Sequence, residues 1–244
     1  MKVNALLKGL QMTWSVDNYE ALAAEAAQKH WSHVEYLTRL LAGETARLHD
    51  SRVIRRIKQA RFPVIKTLDQ FNWLWPKKIN RAQVQNLFRL AFLTDHTNVV
   101  LIGGVGLGKT HLATALGYEA CQQGISVLFT TAVEIINTLT AAQVTHRLKA
   151  ELKRYTTPAL LVVDEIGYLP IDKQGADLLF QVISQRYEHG SMIITTNKTY
   201  KHWPSIFNND SVLTSAVLDR LLHHEETVLI EGPSYRMKEK KTEI

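Results

Sequence analysis

Gly103-Gly104-Val105-Gly106-Leu107-Gly108-Lys109-Thr110 satisfies the pattern G-x-x-x-x-G-K-[ST]. An apolar run, 98–103 (NVVLIG), precedes it, and a helical run, HLATALGYEAC, follows. That context separates a phosphate-binding loop from a glycine-rich turn used only for packing. Glycines let the backbone wrap a phosphate, with consecutive N–H groups turned inward at a helix N-terminus that already favours anions. Lys109 is placed to reach β- and γ-phosphates, and the Thr110 hydroxyl to ligate Mg²⁺. The candidate nucleotide-binding residues are Gly103, Gly104, Val105, Gly106, Leu107, Gly108, Lys109, Thr110 and His111.

Outward from this loop the second half of the chain alternates. Candidate strands are 98–103, 125–131, 159–164, 191–196 and 226–231, short, rich in β-branched residues and almost continuously apolar, as strands covered on both faces should be. Helical stretches at 109–122, 132–140 and 174–189 separate them, and such alternation predicts a parallel sheet with helices on both faces. The segment LLVVDE ends an apolar strand on Asp164, about 55 residues after the loop. A carboxylate there can hold Mg²⁺ through water, so Thr110 and Asp164 are the candidate metal residues. Glu165 is the candidate base for an attacking water. Asn197 ends the next strand in IITTN, placed to touch a γ-phosphate or that water.

The first half reads differently. From Val3 to about Ala60 apolar residues return every three or four positions, a helical pattern. Ser15, Asp17 and Asn18 offer helix-start chemistry, and Gly43 a stop or a weak point. Phe62-Pro63 closes the region. Residues 63–80 form a connector punctuated by Pro76, and a helix from about Arg81 to Phe92 leads into the first strand. The expected domains are 1–62, helical; 63–97, connector and lead-in helix; and 98–244, the nucleotide domain.

Composition, at 45% hydrophobic and 21% charged, is that of a folded chain rather than a disordered one. No run approaches the roughly 18 apolar residues of a membrane helix, and no apolar signal segment opens the sequence. The single cysteine, Cys121, excludes an internal disulfide and a cysteine-based zinc site. A cytoplasmic, reducing setting with no membrane partner is expected. The net charge of +6 is uneven: residues 1–97 carry 15 Lys+Arg against 8 Asp+Glu, and residues 98–244 carry 14 against 15. The excess points to nucleic acid or to a solubilising surface. In 52–61 (RVIRRIKQAR), a helical wheel puts Arg52, Arg55, Arg56 and Lys58 on one broad face and Val53, Ile57 and Ala60 on the other; Arg61 follows. A second basic stretch holds His146, Arg147, Lys149, Lys153 and Arg154. Both are candidate DNA contacts, and neither carries a base-reading constellation, so binding should be mostly sequence-independent.

Taken together, GGVGLGKTHLATALGYEAC, LLVVDEIGYLP, IITTN, LDRL and GPSYR resemble the IstB family of transposition helper ATPases, which stands with DnaC-type helicase loaders in the AAA+ superfamily. The connector KTLDQFNW and the helical first region are similar too, so the resemblance covers nearly the whole chain. It implies an α/β AAA+ P-loop parallel sheet with flanking helices, a small all-helical N-terminal domain and a truncated C-terminal lid, since 13 residues follow the last strand. It implies ATP and Mg²⁺ as cofactors and ATP hydrolysis as the reaction. Asp164 and Glu165 would be the Walker B pair, Asn197 sensor 1, Arg220 of LDRL an arginine finger and Arg236 of SYR the sensor 2 arginine. For Arg220, a surface arginine paired to Asp219 or Glu225 is the plainer alternative. The implied partners are DNA, a transposase encoded by the same element, and further copies of the chain. A helicase loader and a nucleotide-gated scaffold share the same motifs and remain the alternatives.

Overall fold

The structure, a computed structural model, describes residues 2–235. It divides into two compact units, Met1–Arg55 and Arg56–Ile244.

The first unit is helical, with α1 (Val3–Gly9), α2 (Thr13–Lys29) and most of α3 (His33–Ala60). α2 starts earlier than the Ser15 signal suggests, at Thr13, with Met12 rather than Ser15 as the residue before its first turn. Ser15 lies inside the helix, fully buried, and its N–H donates to Glu44 Oε2 at 2.9 Å. The other Glu44 oxygen accepts from Arg47 Nε at 2.9 Å. A buried carboxylate is stable only with such partners. Gly43 does not stop α3, which runs through it unbroken. A side chain there would fall inside the Trp14 indole. Glycine costs about 1 kcal/mol against alanine in a helix, and here it lets an aromatic ring seat directly on the backbone.

The second unit is a five-stranded parallel sheet of order β2-β3-β4-β1-β5. The strands are β1 (Asn98–Gly103), β2 (Val127–Thr131), β3 (Leu160–Ile166), β4 (Ser191–Thr196) and β5 (Glu225–Ile230). α4 (Arg81–Leu87) precedes the sheet, and α5 (Lys109–Gln122), α6 (Ala132–Val144), α7 (Leu148–Thr156), α8 (Lys173–Arg186) and α9 (Ser211–Leu222) connect it. The lead-in helix is shorter than its pattern suggests: Leu90 turns left-handed, φ 59°, and a short 3-10 turn at Ala91–Leu93 takes over. Leu87, Leu90 and Phe92 are all buried, so burying three apolar side chains in one place outweighs helix continuation.

Both sheet faces are covered, which explains the unbroken apolar strands. Val99 and Leu101 pack with Leu112 and Leu116 of α5 and with Val84 and Leu87 of α4. Val100 and Ile102 pack on the opposite face with Ile135, Leu139, Leu178 and Val182 of α6 and α8. Asp172 caps α8 through the Gly175 N–H at 2.8 Å, and Asp210 caps α9 through the Leu213 N–H at 2.9 Å.

Arg186, in the last turn of α8 and 2% exposed, ties three elements together. Its guanidinium donates to the carbonyls of Tyr155, Pro158, Ala159 and Ser191 at 2.7–3.0 Å. Burial lowers its pKa to about 10, so it stays charged at neutral pH. At one rim of the sheet Lys78 and Glu231 exchange two backbone hydrogen bonds, 3.1 and 2.9 Å, in an antiparallel bridge. Among the described residues no helix is long and apolar enough to cross a membrane. The expected truncated lid falls chiefly on residues 236–244, outside the described residues.

Candidate active site

The strand order brings the motifs together. β4 is inserted between β1 and β3, so the end of β3 lies two strands, roughly 10 Å, from the loop that leaves β1. That loop opens a crevice at the carboxyl ends of the strands, where α/β sheets bind ligands.

Gly106 and Gly108 take positive φ, 72° and 88°. A Cβ on Gly108 would stand 2.6 Å from the Phe71 ring, so only glycine lets the connector approach this closely. Gly108 precedes the first residue of α5 and offers no side-chain cap, which leaves the first-turn N–H groups facing the loop. Lys109 is 7% exposed, and its Nζ donates to the carbonyls of Gly103 and Gly104 at 2.8 and 2.7 Å.

Asp164 and Glu165 reach the loop by a break in the sheet. Val163 pairs with Ile194 and Ile166 with Thr196, so two residues of β3 face one residue of β4, Thr195. In a regular pleat neighbouring side chains point to opposite faces. This bulge, with Glu165 left-handed at φ 63°, re-aims them. Asp164, 5% exposed, accepts from Thr110 Oγ1 at 3.1 Å and from Thr195 Oγ1 on the same oxygen, Oδ1. Thr195 Oγ1 in turn accepts the Glu165 N–H at 3.0 Å. The exposed Glu165 lines the cavity beside the loop.

The cavity, about 560 Å³, is walled on one side by Gly106 to His111, Thr114, Glu165 and Thr195. The connector supplies the facing wall with Lys66, Phe71, Trp75 and Pro76. His111 Nε2 lies 2.8 Å from the Thr67 carbonyl. Trp75 Nε1 donates to the Pro233 carbonyl at 2.8 Å, and its ring meets Tyr235 edge-on at 5.1 Å. The Tyr235 N–H donates to the Gly106 carbonyl at 2.9 Å, so the segment after β5 also seats on the loop.

The other candidates are dispersed. Asn197 follows β4, half-buried, and its Oδ1 is buried without a hydrogen-bond partner. Arg220, in the last turn of α9, donates to the Ala216 carbonyl at 3.0 Å and lies over the Phe180 ring at 4.9 Å. It shares a recess with Asn98, the first residue of β1, whereas the loop leaves the last residue of that strand, roughly 17 Å away. Arg236 lies outside the described residues. In α3, Arg52, Arg55 and Lys58 are exposed, Arg56 is half-buried, and Arg61 follows the helix, exposed, at φ 60°. Arg147, Lys149 and Lys153 are exposed around α7, while Arg154 is half-buried, its guanidinium 5.5 Å from the Tyr155 ring.

Comparison with known proteins fits this geometry. The family described as IstB-like ATP binding protein matches residues 5–243. The chain belongs to the IstB-like ATP-binding protein family. The insertion sequence IS21 ATP-binding protein of Pseudomonas aeruginosa is 41% identical over 240 residues, covering 98% of this chain and 90% of that protein. Its counterpart from insertion sequence IS5376 of Geobacillus stearothermophilus is 36% identical over 232 residues, covering 95% and 92%. Among solved structures the DnaC helicase loader is similar in fold, with a TM-score of 0.55 at 22% identity over 68% of this chain and 96% of that one. As an IstB-like protein with an AAA+ fold, the chain places its P-loop, Asp164 and Glu165 in one crevice. Sequence reasoning missed two parts of that crevice in this IstB-like protein. Thr195 sits one place too early to end its strand, and the connector carries no nucleotide motif; its one signal is the density of aromatics in QFNWLWP.

Proposed function

We propose that this IstB-like protein hydrolyses ATP and uses the cycle to assemble on DNA and assist the transposase of its insertion sequence. The observation that carries the chemistry is the Thr110–Asp164 hydrogen bond beside a Glu165 turned into the same cavity. Hydroxyl and carboxylate oxygens are the hard donors Mg²⁺ prefers, with its other ligands coming from phosphate and water. Thr110 would hold the ion directly and Asp164 through its water shell, and the ion would supply positive charge opposite the β- and γ-phosphate oxygens.

Lys109 and the N–H groups of the loop bind the phosphates, and Phe71 and Trp75 offer apolar surface to the base. Glu165 takes a proton from the attacking water as its oxygen bonds to the γ-phosphorus. The bond to the β–γ bridging oxygen breaks, and ADP and phosphate leave. Asn197, its amide oxygen unspent within the fold, orients the water or the γ-phosphate, and Arg236 serves as the sensor arginine. Arg220, at the far end of β1 from its own loop, acts on the nucleotide of a neighbouring copy, which makes an oligomer the active form.

DNA contacts fall to Arg52, Arg55, Arg56, Lys58 and Arg61 and to Arg147, Lys149, Lys153 and Arg154, binding phosphates largely irrespective of sequence. Residues 1–62 form the DNA- and partner-binding module, 63–97 the connector and 98–244 the ATPase, working in the cytoplasm. Two variants test the chemistry. Lys109→Ala should lose ATP binding in a direct titration. Glu165→Gln should bind ATP while turnover falls at least ~10²-fold. Unchanged affinity in the first, or turnover within a few-fold of wild type in the second, refutes the corresponding assignment.

A further inference from the structure

We infer that Thr195 is a positioning residue for hydrolysis, its one hydroxyl fixing the bulge that brings Asp164 and Glu165 to the P-loop. The inference rests on the ATPase reading above and extends it to a residue whose hydroxyl is spent on Asp164 and on the Glu165 N–H.

Thr195 sits on β4 opposite the bulge, 1% exposed, in register with Leu101 of β1 on its other side. Side chains alternate along β4: Met192 and Ile194 face α8, and Ile193 faces α5. Thr195 therefore lies on the P-loop side, and Thr196 on the other. A bulge removes a backbone N–H from the ladder, and a buried N–H without a partner is costly. The Glu165 N–H is that group, and the Thr195 oxygen accepts it at 3.0 Å. A hydroxyl has one proton, and this one goes to Asp164 Oδ1. Each bond thus uses a different capacity of one atom: the lone pair holds the backbone of Glu165, and the proton holds the carboxylate of Asp164. Because Glu165 stands in a left-handed conformation that a residue with a Cβ rarely adopts, its direction depends on that anchor. Valine has the same shape and can make neither bond. Serine can make both.

The test compares Thr195→Val, Thr195→Ser and Glu165→Gln by turnover, by affinity for a non-hydrolysable ATP analogue, and by hydrogen exchange at the Glu165 amide. Thr195→Val should lower kcat about 10²-fold, the cost of a misplacement near 1 Å, with analogue affinity and KM within about threefold. Its Glu165 amide should exchange faster than in wild type. Thr195→Ser should restore turnover and protection together. Thr195→Ala, which removes both bonds without adding volume, carries the same expectations if the valine variant does not fold. Near-normal turnover in Thr195→Val beside an inactive Glu165→Gln overturns the role of Thr195 and leaves the ATPase reading standing. Normal turnover in Glu165→Gln removes Glu165 as the base, and with it the reason to anchor its backbone; absence of hydrolysis by the wild-type protein removes the ATPase reading itself. A Thr195→Ser variant as slow as Thr195→Val shows that the methyl, not the hydroxyl, matters, and also overturns the inference.

Discussion

His111 Nε2 lies 2.8 Å from the carbonyl oxygen of Thr67, joining the first turn of α5 to the connector across 44 residues of chain. A carbonyl only accepts, so Nε2 carries the proton and donates. The imidazole also meets Phe71 edge-on at 5.5 Å. The residue after the P-loop threonine therefore fastens the wall that faces the phosphate loop.

Burial of that imidazole should make stability pH-dependent. Burial lowers the His111 pKa below 6.5, and its effect outweighs the opposing one of the Thr67 bond. Between the lowered value and 6.5 the unfolded chain binds more protons than the folded one, so stability falls as pH drops through that window. His111→Gln keeps a donor toward Thr67 and cannot titrate. Its melting temperature should fall less than that of wild type between pH 7 and pH 5 by calorimetry. Parallel pH profiles for the two proteins would show that His111 does not contribute.

Arg186 should matter to stability and not to catalysis. It places a charge among four carbonyls. Arg186→Met leaves those oxygens short of donors and should cost about 3 kcal/mol, since a buried acceptor left unsatisfied costs about 1–3 kcal/mol. Chemical denaturation measures the loss. A midpoint unchanged from wild type would mean that water replaces the guanidinium at no cost.

Arg220 should act between copies. Arg220→Ala subunits should bind ATP and fail to hydrolyse it alone, and mixing them with Lys109→Ala subunits should recover part of the activity. Arginine fingers contribute about 10³-fold or more to kcat, so partial rescue is measurable. No rescue at any ratio, with mixed oligomers shown to form, would place the arginine in cis or in a structural role.

DNA affinity should be steep in salt. Each phosphate neutralised adds about 0.9 to the slope of log affinity against log salt. Replacing Arg52, Arg55 and Arg56 with alanine should flatten that slope while ATP affinity holds. Weak contacts multiply when subunits assemble, so a non-hydrolysable ATP analogue should strengthen binding in wild type. Equal slopes for the two proteins would remove these arginines from the DNA interface.

The sheet was legible because its signal is local: each strand is a short apolar run, and all five lie within two residues of where the runs predict. The positions of the glycine-rich loop after β1 and of Asp164 were legible for the same reason, although β3 runs on to Ile166 rather than ending on Asp164. Gly43 was misleading, because a helix glycine that admits an indole looks in sequence like one that ends a helix. Ser15 misled in the same way: it sits in the first turn of α2, and the group that meets Glu44 is its backbone N–H, which other residue types also supply. Thr195 could not be read at all, because its role depends on a register shift in the neighbouring strand. The connector wall also arises only when the chain folds back on the loop, a contact between residues some 40 positions apart that no local pattern encodes.

The Lys78–Glu231 bridge lies just past β5, which pairs with a neighbour on one side only. Leu229, half exposed on that strand, shows what the rim holds back. An open strand edge is a template for another chain. The two backbone hydrogen bonds of the bridge, with a lysine and a glutamate 3.6 Å apart beside them, block the end of that template with a charged pair. Lys78→Pro removes a donor there. Its first symptom should be aggregation on gentle warming, seen as light scattering that rises with protein concentration while nucleotide binding remains intact.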